Sequence, residues 1–125
     1  MIHIQSVAFT SYPVTDLARA RSFYEGILGL KYDHGLEKEG MGFAEYEVGG
    51  GYFSILTGVP NWKPSDHGPA IAFEVEDFDT AIAHLREKGV EFAMEPFPTP
   101  VCQMALIFDP DRNQVIIHKR NPGQP

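Results

Sequence analysis

An α+β fold built from two βαβββ modules follows from three features of the sequence. The first is a repeated signature: Val14-Thr15-Asp16-Leu17 returns as Val75-Glu76-Asp77-Phe78, so V-x-D-apolar recurs at a spacing of 61 residues. The second is its setting. Each copy follows a strand-like run and opens a helix-period segment that stops at a glycine, Gly29 in one case and Gly89 in the other. The third is that each helix is succeeded by further strand-like runs, two clear ones in the first half and three in the second. The modules so defined cover about residues 4–60 and 67–120 of one domain, 1–125.

The elements come in that order. Residues 4–11 mix polar and apolar side chains and predict a strand. Asp16 is placed to cap a helix, in which Leu17, Ala20, Tyr24 and Ile27-Leu28 recur at helical spacing beside Phe23. Gly26 inside it costs about 1 kcal/mol relative to alanine, which suggests a close packing partner. A charged, Gly-containing stretch (33–42) reads as a connection. Two strands, 43–48 and 52–57, are joined by Gly49-Gly50-Gly51. Residues 58–69 are loop by composition and carry Trp62. A strand at 70–75 opens the second module, and Asp77 caps a helix with Phe78, Ala81, Ile82 and Leu85 on one face. A short strand at 90–94, a proline-rich turn, a strand at 101–108, the turn Asp109-Pro110-Asp111-Arg112-Asn113 and a strand at 114–119 complete it.

Composition narrows the function. Ten basic against seventeen acidic side chains give a net charge of −7, which disfavours nucleic acid, whose binding needs cationic surface. A single cysteine, Cys102, suggests a reducing, cytoplasmic setting. There is neither a secretory pattern at the start nor an apolar run of the roughly eighteen residues that a membrane helix needs. No phosphate loop, dinucleotide fingerprint, nucleophile elbow or paired-cysteine motif occurs.

The repeated module, the V-x-D-L opening, Phe23-Tyr24, Leu28-Gly29-Leu30 and the Asp109–Asn113 turn together resemble the vicinal oxygen chelate superfamily. That superfamily holds glyoxalase I, the bleomycin-resistance proteins and the extradiol dioxygenases. The turn matches the family's D-P-D-G-N except that Arg112 replaces glycine. The resemblance spans the whole domain and implies mixed sheets curled around a cavity, commonly in a homodimer. It also implies a divalent metal held by four residues from the first and last strands of the modules. Carried onto this chain, those positions are Phe9, Ile55, Ala70 and Ile116, none of which has a lone pair to give a cation. The family's metal site is therefore expected to be absent, and no cofactor is expected.

If these four residues face the cavity, strand alternation adds Val7 and Ser11, Phe53 and Thr57, Ala72, Glu74 and His118 to the same surface. The resemblance puts the first and last strands of a module side by side, making Glu74 and His118 neighbours. A carboxylate beside an imidazole can do acid/base work or simply form a salt bridge. Trp62 could close over an apolar ligand, and Tyr46 or Tyr52 could offer a hydroxyl. Cys102 reads as an inert buried thiol, and His34 beside Asp33 and His67 beside Asp66 read as solvated.

Three readings remain open. One is a metal-free binding protein that sequesters a drug or metabolite in an apolar cavity through Phe9, Ser11, Ile55, Trp62, Ala70, Ala72 and Ile116. The second is a lyase or isomerase that uses Glu74 and His118, or a displaced metal. The third is an interaction domain whose cavity is filled by its own aromatic side chains. Phe9 discriminates: its ring either fills the cavity or walls open volume.

Overall fold

Asp16 and Asp77 both begin helices. The Asp16 carboxylate accepts a hydrogen bond from the Arg19 amide at 3.0 Å, and that of Asp77 accepts one from the Thr80 amide at 2.9 Å. Each side chain satisfies a donor that the first helical turn leaves unpaired. The computed structural model describes residues 1–124 and divides at Pro64/Ser65 into two units.

In unit one, β1 (Thr10–Pro13) leads into α1 (Leu17–Arg21), which widens into a π-helical turn over Ser22–Ile27. There the Leu28 amide reaches back to the Phe23 carbonyl at 3.0 Å. Strands β2 (Tyr32–Lys38), β3 (Met41–Val48) and β4 (Gly51–Thr57) follow. The sheet order is β1-β4-β3-β2, with β1 parallel to β4 and the other pairs antiparallel. Unit two repeats the plan: β5 (Ile71–Glu74), α2 (Phe78–Glu87), β6 (Phe92–Pro98), β7 (Cys102–Phe108) and β8 (Gln114–Arg120), in the order β5-β8-β7-β6. The expected βαβββ repeat in an α+β fold is present, with two four-stranded mixed sheets.

Each helix is amphipathic and each sheet buries one face. In unit one the Phe53 ring meets Tyr12, Tyr24 and Tyr46 at centroid distances of 5.4, 5.1 and 6.3 Å. Leu17, Ala20 and Phe23 are buried with them, as are Ala44 and Ile55. In unit two, α2 buries Phe78, Ile82 and Leu85, and the sheet buries Ala105, Ile107, Val115 and Ile117. Each fully buried large side chain stabilises the fold by about 1.5–3 kcal/mol.

Four local expectations are corrected. The first strand does not span 4–11 but begins at Thr10, and residues 1–9 are exposed. The register Thr10↔Phe53 explains this, because its continuation reaches the start of β4 at Gly51 within two residues. The stretch 33–42 is not simply a connection: β2 occupies most of it as a charged edge strand whose residues are exposed except for Gly35. Charge on an edge deters pairing with foreign strands and also hides the strand from any hydrophobic pattern. The proline-rich segment continues β6 to Pro98, as an edge strand with register shifts tolerates proline. A side chain on Gly26 would meet nothing, so that glycine answers to no packing partner. Gly58 does: with φ of +89°, its Cβ would fall 1.9 Å from the Gly40 carbonyl oxygen, so only glycine fits.

Candidate functional site

Side-chain alternation sorts each sheet into two faces, and the faces decide which residues a ligand could meet. In β4, Phe53 and Ile55 point to the helix side with Tyr24, so Ile55, with none of its surface exposed, belongs to the core. This corrects the expectation that Ile55 and Phe53 line a cavity. The error is one residue of parity, which moves a strand's whole set to the other face. Ser54 and Leu56 occupy the opposite face, and the Ser54 hydroxyl donates to the Ser11 hydroxyl at 2.8 Å.

That opposite face carries a cavity of about 250 Å³. Phe9, Met41, Phe43, Leu56 and Val59 give it apolar walls, and Ser54 and Glu45 are its polar side chains. Phe9 is 55% exposed and walls open volume rather than filling it. Trp62 is 52% exposed in the loop beyond, and its backbone amide donates to the carbonyl of cavity-lining Val59 at 3.2 Å. Sequence reasoning missed Met41, Phe43, Glu45, Ser54 and Leu56. The signal was present in Ser54, a small hydroxyl in an otherwise apolar run that falls opposite Ser11.

Tyr46 does not line the cavity. It points to the helix side, wholly buried, and its hydroxyl donates to a Glu25 carboxylate oxygen at 2.8 Å. Arg21 holds the same carboxylate from one turn earlier, at 2.6 and 3.2 Å. The guanidinium is the main reason that the Glu25 carboxyl titrates below its ordinary range, while burial raises the Tyr46 phenol well above its own.

In unit two, β5 and β8 run parallel with Ala72 opposite Ile116 and Glu74 opposite His118. The buried neighbours Val115 and Ile117 point to the core, so Ala72, Glu74, Ile116 and His118 share the other face. Glu74 takes the His118 Nδ1 at 2.5 Å with one oxygen and the Arg120 amide at 2.7 Å with the other. These two bonds, the amide first, hold the Glu74 carboxyl below its ordinary range. With Nδ1 turned to the carboxylate, Nε2 is the nitrogen that can serve a ligand. The His118 side chain is 19% exposed and that of Glu74 41%, so the pair sits at the surface of the sheet. A second hollow of about 220 Å³, lined by Phe78, Asp79, Pro96, Phe97, Pro98 and Gln103, does not include the pair. Ala70 is half-buried just before β5.

The donor set does not fit a chelated divalent ion at the positions implied by the resemblance. Phe9, Ala70 and Ile116 have no donor atoms. On the β4 face that Phe9 shares, the choice lies between Leu56, which has no donor atom, and the neutral Ser54 hydroxyl, which donates its proton to Ser11 and is a poor ligand beside a carboxylate or imidazole. Cys102 is buried, with its sulfur 3.0 Å from the Thr99 hydroxyl. His67 pairs with Asp66 at 2.6 Å on the surface. Asp33 and His34 lie on β2 and meet Glu45 of β3. Among the described residues no helix is long and apolar enough to cross a membrane.

Solved structures share this fold. An antibiotic binding protein, TnmS3, from Streptomyces sp. CB03234 aligns with a TM-score of 0.79 at 24% identity, over 97% of this chain and 100% of that one. A glyoxylase/bleomycin resistance protein/dioxygenase domain from Frankia sp. EAN1pec gives 0.76 at 19%, over 95% and 100%. The fosfomycin resistance protein FosX from Listeria monocytogenes gives 0.74 at 18%, over 96% and 97%. No curated protein matches the chain. Residues 3–117 match the Glyoxalase/Bleomycin resistance protein/Dioxygenase superfamily, and the chain belongs to that superfamily.

Proposed function

We propose that the chain binds a small organic molecule in the apolar cavity of unit one and does so without the superfamily's chelated metal. The observation that carries this reading is the cavity itself: apolar walls from Phe9, Met41, Phe43, Leu56 and Val59, relieved only by Ser54 and Glu45 among its lining side chains. Pockets for small ligands are mostly apolar with a few polar groups that fix orientation. A neighbour of the same fold is an antibiotic binding protein, which supports the binding of a small molecule. The superfamily's tendency to pair supports a homodimer as the working form.

Trp62, the one tryptophan of the chain, reports on this site through its neighbour Val59. A panel of hydrophobic antibiotics and aromatic metabolites is screened by intrinsic fluorescence and thermal shift. A binder is expected to change both signals, and Leu56→Trp, which fills the cavity, is expected to abolish binding while leaving the fold intact. Ligand binding undiminished in Leu56→Trp removes the cavity from the proposal.

A second reading, a lyase or isomerase, is favoured by the pairing of Glu74 with His118. In it His118 Nε2 exchanges a proton with substrate, while Glu74 orients the ring and supports its positive charge. Turnover that survives both His118→Ala and Glu74→Gln would rule it out.

A further inference from the structure

We propose that His34 and Glu45 hold a divalent transition-metal ion at the edge of the unit-one cavity, with Asp33 orienting the imidazole. Asp33 and His34 are consecutive on β2, where ordinary alternation would send their side chains to opposite faces. The ladder shifts register between Tyr32, which pairs with Tyr46, and His34, which pairs with Glu45. Asp33 is thus the extra residue of a bulge, a feature that re-aims side chains. As a result the Asp33 carboxylate contacts His34 Nδ1 at 2.7 Å, and Nε2 faces Glu45 Oε1 at 3.6 Å.

Two donors that share one ion, each about 2.0–2.1 Å from it, stand roughly 3.3–3.4 Å apart at a tetrahedral angle and about 2.8–3.0 Å apart at an octahedral one. Nε2 and Oε1, at 3.6 Å, therefore need to close by a few tenths of an ångström for a tetrahedral ion and by about 0.6–0.8 Å for an octahedral one. A ligating histidine ordinarily gives its other nitrogen to a carboxylate, which fixes the ring and raises its basicity. Asp33 already occupies that place. Imidazole plus carboxylate suits zinc, nickel or cobalt rather than calcium.

The Glu45 side chain is only 21% exposed, against 48% for Asp33 and 56% for His34. It sits among apolar residues and is the one ionisable group lining the cavity. An ion there would be reached from solvent on the His34 side and from the cavity on the other. These positions lie on β2 and β3, away from the four positions taken over from the superfamily resemblance. The inference does not depend on the small-molecule reading.

The test uses the full chain, freed of metal with a chelator and then dialysed to equilibrium against Zn²⁺, Ni²⁺ or Co²⁺, with bound metal quantified per chain. One ion per chain is expected. His34→Ala and Glu45→Gln are each expected to abolish it, and Asp33→Asn to weaken it about 10- to 100-fold. His67→Ala provides the control, since His67 has a carboxylate beside it at 2.6 Å and no metal-binding cluster among the described residues includes it. Circular dichroism checks that each variant is folded, and Co²⁺ absorption of the wild-type chain reports coordination independently of the variants. No binding, binding that persists in folded His34→Ala, or binding lost equally in His67→Ala overturns the proposal.

Discussion

Changing Tyr46 to phenylalanine removes one oxygen and tests the bond that ties the sheet of unit one to its π-helical turn. The Tyr46 hydroxyl is wholly buried and donates to Glu25 at 2.8 Å, while Arg21 holds the same carboxylate at 2.6 Å. A hydrogen bond to a charged acceptor contributes about 1.5–3 kcal/mol. Glu25 keeps Arg21 in the variant and is 28% exposed, so the lower end, about 1.5 kcal/mol, applies. In a domain of this size that is a fall in Tm of roughly 5 °C. Glu25→Leu should cost more, about 2–3 kcal/mol, because it strands a buried hydroxyl and removes a helix-surface ion pair worth only about 0.3–0.5 kcal/mol. The assay is urea unfolding at constant slope for both variants and their double mutant, which isolates the coupling. The sign with pH follows from Glu25, whose folded carboxyl titrates below its ordinary value of 4.5. Its contribution is complete above that value and is lost as pH falls through the lowered folded value. The gap between wild type and Tyr46→Phe should therefore be full at neutral pH and shrink in acid. A gap under about 0.5 kcal/mol, or one that does not change in acid, would show that the hydroxyl is not bonded to an ionised Glu25.

Ile55→Ala should cost about 2–5 kcal/mol as a core truncation and Ile116→Ala distinctly less, because Ile55 is wholly buried and Ile116 only half-buried. Equal losses by urea unfolding would undo the assignment of faces. Asp109, buried, accepts from the Asp111 and Asn113 amides and the Asn113 side chain, each at 2.9 Å. Asp109→Ala should cost about 3 kcal/mol, since it strands buried donors, and a change under about 1 kcal/mol would mean that water replaces the carboxylate. Arg112 stands at φ of +68° where the family pattern has glycine. Arg112→Gly would relieve about 1 kcal/mol of left-handed strain. It would also lose the stacking on Phe108 at 4.0 Å and the Glu91 pair at 3.1 Å, together about 1 kcal/mol. The melting temperature should barely move, and a gain of many degrees would show those contacts to be idle.

The fold was legible because its signal is local and occurs twice. Asp16 and Asp77 can be read as caps from their neighbours alone, and the burial of Phe78, Ile82 and Leu85 follows from their spacing. The edges were not legible. β2 is almost entirely exposed and carries Asp33, Glu37 and Lys38, and β6 contains prolines and register shifts, so neither presents the alternation that marks a half-buried strand. The cavity was only half legible for a related reason. Phe53, Ile55 and Leu56 are all large and apolar, and a run that is apolar on both parities does not say which parity faces the helix. Contacts with Tyr12 and Tyr24 decide it, and they are long-range. The Asp33–His34–Glu45 cluster depends on a bulge, and nothing in the residues of β2 announces where the ladder will slip.

The parity error on β4 bears on function less than it first suggests. With Ile55 facing inward, that position of β4 would be apolar; with Ser54 facing inward, it carries a hydroxyl that donates to Ser11. Neither residue supplies at that position the carboxylate or imidazole that a hard or borderline divalent ion favours. Under either register the residue types at these positions do not fit a chelated ion, whichever of two neighbours points inward. Ligand binding does depend on the register: it needs Ser54 and Leu56 on the same face as Phe9 and Phe43, and that face is where the open volume lies. The two units thus share one backbone plan and differ in chemistry, with an apolar hollow edged by Glu45 in the first and an oriented imidazole on an open strand face in the second.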